Sequence, residues 1–202
     1  MNKLDFEQAC YPILKLKPEL PISLSSRHQI ALAYDIHQLE TIEKRSLFML
    51  TLTYKLKSYF APKPNLLNRN FIRVYCHYFL PFLFQSKYYN TNKRILQQPI
   101  TFSFLDEPEG TPHAHEPESL HHHAIVAAHE STLPRISLLL GTNTFKDIDP
   151  NFFIATSDFK ECDAFGMLYA SKCLKKYPDF LMFPKRLQSV LEKTTQLELE
   201  TV

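Results

Sequence analysis

The chain has 202 residues, of which 45% are hydrophobic and 22% charged. This length suits one domain of ordinary size, and this composition excludes disorder over most of the chain. No apolar run is long enough to span a membrane, and Asp5 and Glu7 stand where a secretory signal would be apolar. The four cysteines form no CxxC pair, which favours a reducing compartment. The sequence therefore predicts a soluble, cytoplasmic protein with no membrane partner.

The net charge of +2 conceals a strong segregation of charge along the chain. Residues 46–98 contain eight basic side chains and no acid, whereas residues 99–163 contain eleven acids and three bases. Twelve of the 26 aromatic residues also lie in the basic segment, and most of these rings are expected in the core. Cations that neutralise phosphates, beside rings that stack on bases, favour binding of single-stranded nucleic acid. The predicted contacts to nucleic acid are Lys55, Lys57, Arg69, Arg73, Lys87, Lys93 and Arg94.

Hydrophobic spacing predicts three elements in the first part of the chain. Ser26–Lys44 has helical periodicity, and the helix could be either an N-terminal appendage or part of the core. Leu47–Tyr54 alternates like a strand, with Thr51 and Thr53 on one face. Residues Asn65–Pro81 return to helical spacing.

Five further elements are predicted after residue 99. In chain order they are a strand Ile100–Glu107, an antiparallel strand Leu120–Ala128, a helix Pro134–Leu140 capped by Gly141, a short strand Phe152–Thr156, and a helix Ala164–Lys176 with Asp163 as its N-cap and Pro178 as its stop. Strands and helices do not alternate regularly, which predicts an α+β fold with a central, largely antiparallel sheet flanked by helices. We expect a helical N-terminal extension (1–45), a main domain (46–184) and a C-terminal helix or tail (185–202).

Histidines are concentrated in one segment, with six of the nine between positions 113 and 129. The period of two in a strand places His121 and His123 on one face and His122 on the other. Two imidazoles so spaced can ligate one divalent ion, and an acid at the end of the preceding strand can complete the set. Both Asp106 and Glu107 are candidates for that acid, and we favour Glu107.

A tyrosine and a lysine are spaced three residues apart in the last predicted helix. Tyr169 and Lys172 are neighbours on a helical surface, so the ammonium can approach the phenol. A phenol is a poor nucleophile at neutral pH unless a cation favours the phenolate. This spacing is commonplace in amphipathic helices, and it carries meaning only together with the histidines.

The order of three segments resembles the successive motifs of the HUH endonuclease superfamily, and more narrowly the replication initiators of rolling-circle plasmids and small phages. The segments are the strand FMLTLTY, the strand HHHAIV and the helix YASKCLKK, and the likeness spans residues 46–176. The stretch FSFLDEP is similar to the strand that supplies the acidic ligand in that family. Three features depart from the pattern: His122 replaces an apolar residue, Cys173 stands where some members have a second tyrosine, and His113 with His115 offers a rival second motif.

The resemblance implies an HUH or ferredoxin-like fold with a central sheet. It also implies a protein that nicks and rejoins DNA and initiates rolling-circle replication. His121, His123 and an acid would hold Mg²⁺ or Mn²⁺, Tyr169 would form a 5′-phosphotyrosine, and Lys172 would stabilise the phenolate or the phosphate. The implied partners are single-stranded or hairpin DNA and host replication proteins. Three alternatives remain: a transposase or relaxase of the same superfamily, a non-catalytic DNA-binding protein with a structural metal, and a zinc hydrolase.

Overall fold

The computed structural model describes residues 27–54, 64–85, 97–106, 120–142, 144–145, 154–164, 166–173, 176–177 and 179–184. The helices are α1 (Arg27–Thr41), α2 (Pro64–Val74), α3 (Leu80–Phe84), α4 (Leu133–Ile136) and α5 (Gly166–Ala170). The strands are β1 (Ser46–Tyr54), β2 (Ile100–Asp106), β3 (His121–Ala128), β4 (Gly141–Thr142), β5 (Ile154–Glu161) and β6 (Leu181–Phe183). The predicted α+β class, with helices flanking an antiparallel sheet, is confirmed.

The six strands form one sheet in the order β4-β5-β1-β3-β2-β6, and every neighbouring pair is antiparallel. The two central strands are β1 and β3, which pair from Ser46 opposite Ala128 to Thr53 opposite His121. Both strands are buried along nearly their whole length. Strands covered on both faces carry apolar residues in long runs, which explains the sequences LFML and AIVAA at the centre of the sheet.

One face of the sheet is covered by α2, a π-helical turn (Tyr75–Phe79) and α3, which form one continuous helical segment. Its buried rings, which include Phe71 and Phe79, pack with Leu50 and Leu52 of β1 in one apolar cluster. The segment ends at Gln85, whose φ of 48° lies in the left-handed region. The prediction of a helix over Asn65–Pro81 is confirmed.

The other face of the sheet is covered by α1 and α5. Ala33 and Ile36 of α1 are fully buried in an apolar cluster with Met49 of β1 and Met167 of α5. Helix α1 therefore belongs to the core, which is the second of the two alternatives that the sequence left open. Residues 1–26 and 185–202 lie outside the described residues, and these include Ser26, the first residue of the predicted helix, and the predicted C-terminal tail.

Two predicted elements between β3 and the last helix differ in extent from those in the structure. The helix expected over Pro134–Leu140 is a single α-turn between two 3₁₀ turns, and Gly141, at φ 120°, opens β4 instead of capping a helix. The strand expected at Phe152–Thr156 continues to Glu161, because it pairs with β1 from Tyr54 back to Phe48. Strands β4 and β6 were not predicted, since two or three residues carry too little periodicity to be recognised.

The last helix is much shorter than the sequence predicted. Asp163 does act at its start, because its carboxylate accepts a hydrogen bond from the Gly166 N–H at 3.2 Å. The Ser171 N–H still bonds the Met167 carbonyl four residues back at 3.0 Å, but the Lys172 N–H bonds the Tyr169 carbonyl only three residues back at 3.2 Å. Residues 171–173 are therefore turns. Among the described helices, none combines the length and the apolar character needed to cross a bilayer.

Candidate active site

Strand register brings the predicted ligands together at one end of the central strands. Asp106, the last residue of β2, pairs with His121, and Thr51 of β1 pairs with His123. Because side chains alternate along a strand, these four residues share the sheet face that α1 and α5 cover. His122 points to the opposite face. The prediction that His121 and His123 lie on one side of the strand is confirmed.

Three potential ligand atoms converge in this group. The Nε2 atoms of His121 and His123 lie 3.0 Å apart, and the Asp106 Oδ2 atom lies 3.5 Å from the first and 3.2 Å from the second. Ligands bound at about 2.1 Å are separated by about 3.0 Å at octahedral angles and about 3.4 Å at tetrahedral angles. The observed spacings match those values. The donor set therefore fits a divalent cation.

Hydrogen bonds among these three atoms would satisfy fewer of them than a bound cation would. Each imidazole nitrogen offers a single in-plane site, either a proton or a lone pair, so it engages one neighbour fully and not two. A cation at the centre meets all three donors at once. The Nδ1 atom of His123 is 2.9 Å from the Thr51 hydroxyl, which can accept its proton and thereby turn the Nε2 lone pair toward the group.

The electrostatic state of the group also suits a cation. Burial by itself would raise the pKa of Asp106, but the adjacent His121, His123 and Cys173 side chains hold that pKa well below its ordinary value. The carboxylate is therefore ionised although its side chain is fully buried. Burial lowers the pKa of His123, which favours the neutral imidazole that a metal requires.

The predicted nucleophile and its lysine lie beside this group. The Tyr169 ring on α5 is centred 5.0 Å from the His123 ring, and Tyr169 is 51% exposed. The Lys172 ammonium is 4.5 Å from the Tyr169 ring centre and 3.2 Å from Asp106 Oδ2. The Gln29 amide of α1 donates to the Ser171 carbonyl at 2.7 Å, so α1 helps to position the turn that carries Lys172.

The remaining predicted site residues divide into two sets. Asp106 is the candidate acid that the structure places in the group, whereas Glu107, which we favoured, lies outside the described residues with His113 and His115. Arg69 and Arg73 are exposed on α2, across the sheet from Tyr169. The other predicted nucleic-acid contacts lie outside the described residues: Lys55, Lys57, Lys87, Lys93 and Arg94.

Sequence reasoning missed a second polar network, which lies on the opposite face of β3. His122 is fully buried, with Nδ1 2.8 Å from the Tyr54 hydroxyl and Nε2 2.9 Å from the Asn68 Oδ1 atom. With the Asn68 oxygen as acceptor, His122 donates from Nε2 and accepts the Tyr54 proton at Nδ1. Burial, with the charges of His121 and His123, lowers the pKa of His122 to about 3. This imidazole is therefore neutral and structural.

Two contacts of the Asp106–His121–His123 group were also missed, those of Thr51 and Cys173. The strand alternation that separates His121 from His122 could have placed Thr51 beside the group, once the pairing of β1 with β3 was assumed. For Cys173 the one signal was its position, where some members of the resembled family have a second tyrosine. No protein-family model matches the chain, and neither curated proteins nor solved structures give a match. The geometry of this site is therefore the basis on which a function can be proposed.

Proposed function

We propose that this protein nicks and rejoins single-stranded DNA by tyrosine transesterification, as the rolling-circle initiators that its motifs resemble do. The observation that carries the proposal is the position of Tyr169 and Lys172. Both lie on the same sheet face as the Asp106–His121–His123 group and in contact with it. A nucleophile, a cationic side chain and a metal-binding set within one cluster are the components that phosphoryl transfer needs.

Asp106, His121 and His123 are the residues that would hold the divalent ion, with Mg²⁺ or Mn²⁺ expected. When bound, such an ion supplies positive charge that polarises the scissile phosphate and offsets the charge that develops on it. Two imidazoles with one carboxylate suit Mn²⁺ somewhat better than Mg²⁺, which prefers oxygen ligands. Thr51 serves this set by fixing the orientation of the His123 ring.

Tyr169 provides the attacking oxygen. A bond forms between its phenolic oxygen and the phosphorus, while the bond from phosphorus to the 3′ oxygen breaks. The proton that the phenol loses is balanced by the proton that the departing 3′ oxygen gains. Lys172, beside the ring, stabilises the phenolate or the charged phosphate. The resulting 5′-phosphotyrosine keeps the energy of the phosphodiester, so the strand can be rejoined without a nucleotide cofactor.

The substrate in this proposal is single-stranded DNA or DNA extruded as a hairpin. The half-exposed Tyr169 ring can be approached by a flexible strand, whereas the phosphates of an undistorted duplex are held along a rigid helix. The free 3′-hydroxyl left by nicking primes a polymerase, so initiation of rolling-circle replication with host replication proteins in the cytoplasm is the process that we assign.

Trapping of a covalent adduct tests this proposal. The full chain is incubated with Mn²⁺ and a pool of single-stranded oligonucleotides of random sequence labelled at the 3′ end. We expect labelled protein on a denaturing gel, because the 3′ fragment stays joined to Tyr169 through its 5′-phosphate. Tyr169→Phe lowers the yield of adduct at least about 1000-fold, since the attacking oxygen is removed.

Tyr78→Phe is the matched control, because Tyr78 packs in the cluster on the other side of the sheet. It retains the adduct at the wild-type level. If Tyr169→Phe still forms the adduct, another residue is the nucleophile and the proposal is wrong. Cleavage with no adduct for the wild type identifies a hydrolase instead, and binding with neither cleavage nor adduct identifies a non-catalytic DNA-binding protein.

A further inference from the structure

Lys172 makes an ion pair inside the metal-binding group itself. Its ammonium lies 3.2 Å from Asp106 Oδ2, the same oxygen that faces the Nε2 atoms of His121 and His123. The Asp106 side chain is fully buried and that of Lys172 is only 18% exposed. Water therefore contributes little to offsetting the negative charge of the Asp106 carboxylate. The Lys172 ammonium, which carries a full positive charge, lies in contact with it and offsets that charge instead.

We infer that Lys172 is an internal counter-cation of Asp106 that competes with the divalent ion for Oδ2. The inference depends on the metal site of the proposed function and adds the way in which its loading is regulated. Two positive charges drawing on one carboxylate oxygen repel each other, so the lysine weakens metal binding in the absence of DNA. Lysine suits this role because its charge sits on a long, flexible stem.

The competition between Lys172 and the divalent ion for Asp106 connects metal binding with DNA binding. An ammonium released from Asp106 is free to pair with a phosphate next to Tyr169, whose ring is already 4.5 Å away. A phosphate that draws Lys172 away from Asp106 in turn improves the affinity for the metal. By thermodynamic linkage, the metal then improves the affinity for DNA by the same factor. The site is thereby loaded most readily when its substrate is present.

Binding of Mn²⁺ to the full chain without DNA, followed by the electron paramagnetic resonance signal of free Mn²⁺, tests this inference. We expect Lys172→Met to bind Mn²⁺ about tenfold more tightly than the wild type, within the usual range of coupling between neighbouring sites. Lys172→Arg keeps the charge and is expected within about twofold of the wild type. Lys176→Met is the control, because Lys176 is exposed four residues further on and its ammonium lies over the Tyr177 ring.

Unchanged or weaker binding by Lys172→Met overturns the inference, and so does tighter binding by Lys172→Arg that equals that of Lys172→Met. Lys172→Gln repeats the measurement if the methionine variant is unfolded by circular dichroism. Failure of the wild type to bind Mn²⁺ any better than His121→Ala removes the shared metal site and overturns the inference as well. Because DNA is absent, failure of the adduct assay leaves this result unaffected, and the two proposals are tested separately.

Discussion

Three consecutive histidines on β3 occupy two different environments. His121 and His123 face the layer formed by α1 and α5, where both meet a buried carboxylate. His122 faces the layer formed by α2, where it meets a hydroxyl and an amide oxygen and packs 5.1 Å from the Phe71 ring. The residue type is the same, so the difference comes entirely from the neighbours that each face supplies.

The comparison separates a group that could hold a metal ion from a hydrogen-bond network that stabilises the fold. On the His122 side, each ring nitrogen has a neutral partner of the complementary kind, so the network is complete without any further atom. On the other side, two ring nitrogens and a carboxylate oxygen converge, with an ammonium beside them. Such an arrangement satisfies its members best when a cation is bound. Substitutions on the two faces should therefore affect different measurements.

The largest difference is expected for His121→Ala. Loss of one of three ligands should weaken Mn²⁺ binding at least about 100-fold. A loss of about 10- to 100-fold is typical when the residue removed only hydrogen-bonds to a ligand. Mn²⁺ titration by electron paramagnetic resonance measures this loss. His129→Ala, which removes a half-buried histidine just beyond β3, should leave the affinity unchanged. Equal effects of the two variants would mean that His121 is not a ligand.

The second-largest effect is expected on the stability of the fold, for a substitution of His122 on the opposite face of β3. His122→Leu leaves the Tyr54 hydroxyl and the Asn68 amide without their buried partner, and each unsatisfied group costs about 1–3 kcal/mol. We expect the free energy of unfolding at pH 7, measured with urea, to fall by about 3 kcal/mol, while Mn²⁺ affinity changes less than about threefold. Adding Tyr54→Phe to His122→Leu should recover part of the loss, because both partners of one bond are then apolar. A double variant less stable than His122→Leu would contradict this account.

The pH dependence of stability should sharpen the same contrast. The folded pKa of His122, about 3, lies below its unfolded value of 6.5, so the unfolded chain binds more protons between these two pH values. Stability is therefore greatest above pH 6.5 and falls as the pH is lowered toward 3. From pH 7 to pH 5 this group alone removes about 2 kcal/mol. His123 shifts in the same direction, so comparison with His122→Leu isolates the part due to His122.

Urea unfolding of wild type and His122→Leu at both pH values measures that part. The difference in stability between the two proteins should shrink from about 3 kcal/mol at pH 7 to about 1 kcal/mol at pH 5, because leucine has no proton to bind. A constant difference across this range would show that His122 has the same pKa in the folded and the unfolded chain.

The sequence predicted most of the fold because periodicity is a local property. β1 and β3 contain the apolar runs LFML and AIVAA, and the helix around Phe71 repeats its apolar positions every three or four residues. Tertiary contacts decided the rest. The end of α5 follows the change of backbone bonding at Lys172, and the membership of α1 in the core depends on its contacts with a helix more than 100 residues away.

The part of the site that the residues themselves predicted is the part that follows from the alternation of side chains along β3. Alternation alone put His121 and His123 on one face. The selection of Asp106 depends on the register of β2 against β3, which pairs Asp106 with His121, and nothing in either strand's sequence fixes that register. The contact of Tyr169 and Lys172 with the same face depends on how α5 packs across the sheet. The family resemblance implied that contact, but the spacing of the residues did not.

The smallest effect is expected on the α2 side, for Arg69→Ala combined with Arg73→Ala. These exposed side chains lie across the sheet from Tyr169, so they can contact only phosphates that are distant from the nick. The double variant should bind single-stranded DNA about fivefold more weakly, and the slope of log affinity against log salt should fall by about 1.4, or about 0.7 for each lost phosphate contact.

Fluorescence anisotropy over a range of salt concentrations measures both the affinity and the slope. At saturating DNA the adduct yield should match that of the wild type, because the residues around Asp106 are unchanged. An unaltered salt slope would mean that neither arginine touches DNA, and that the strand is held on the Tyr169 side of the sheet alone.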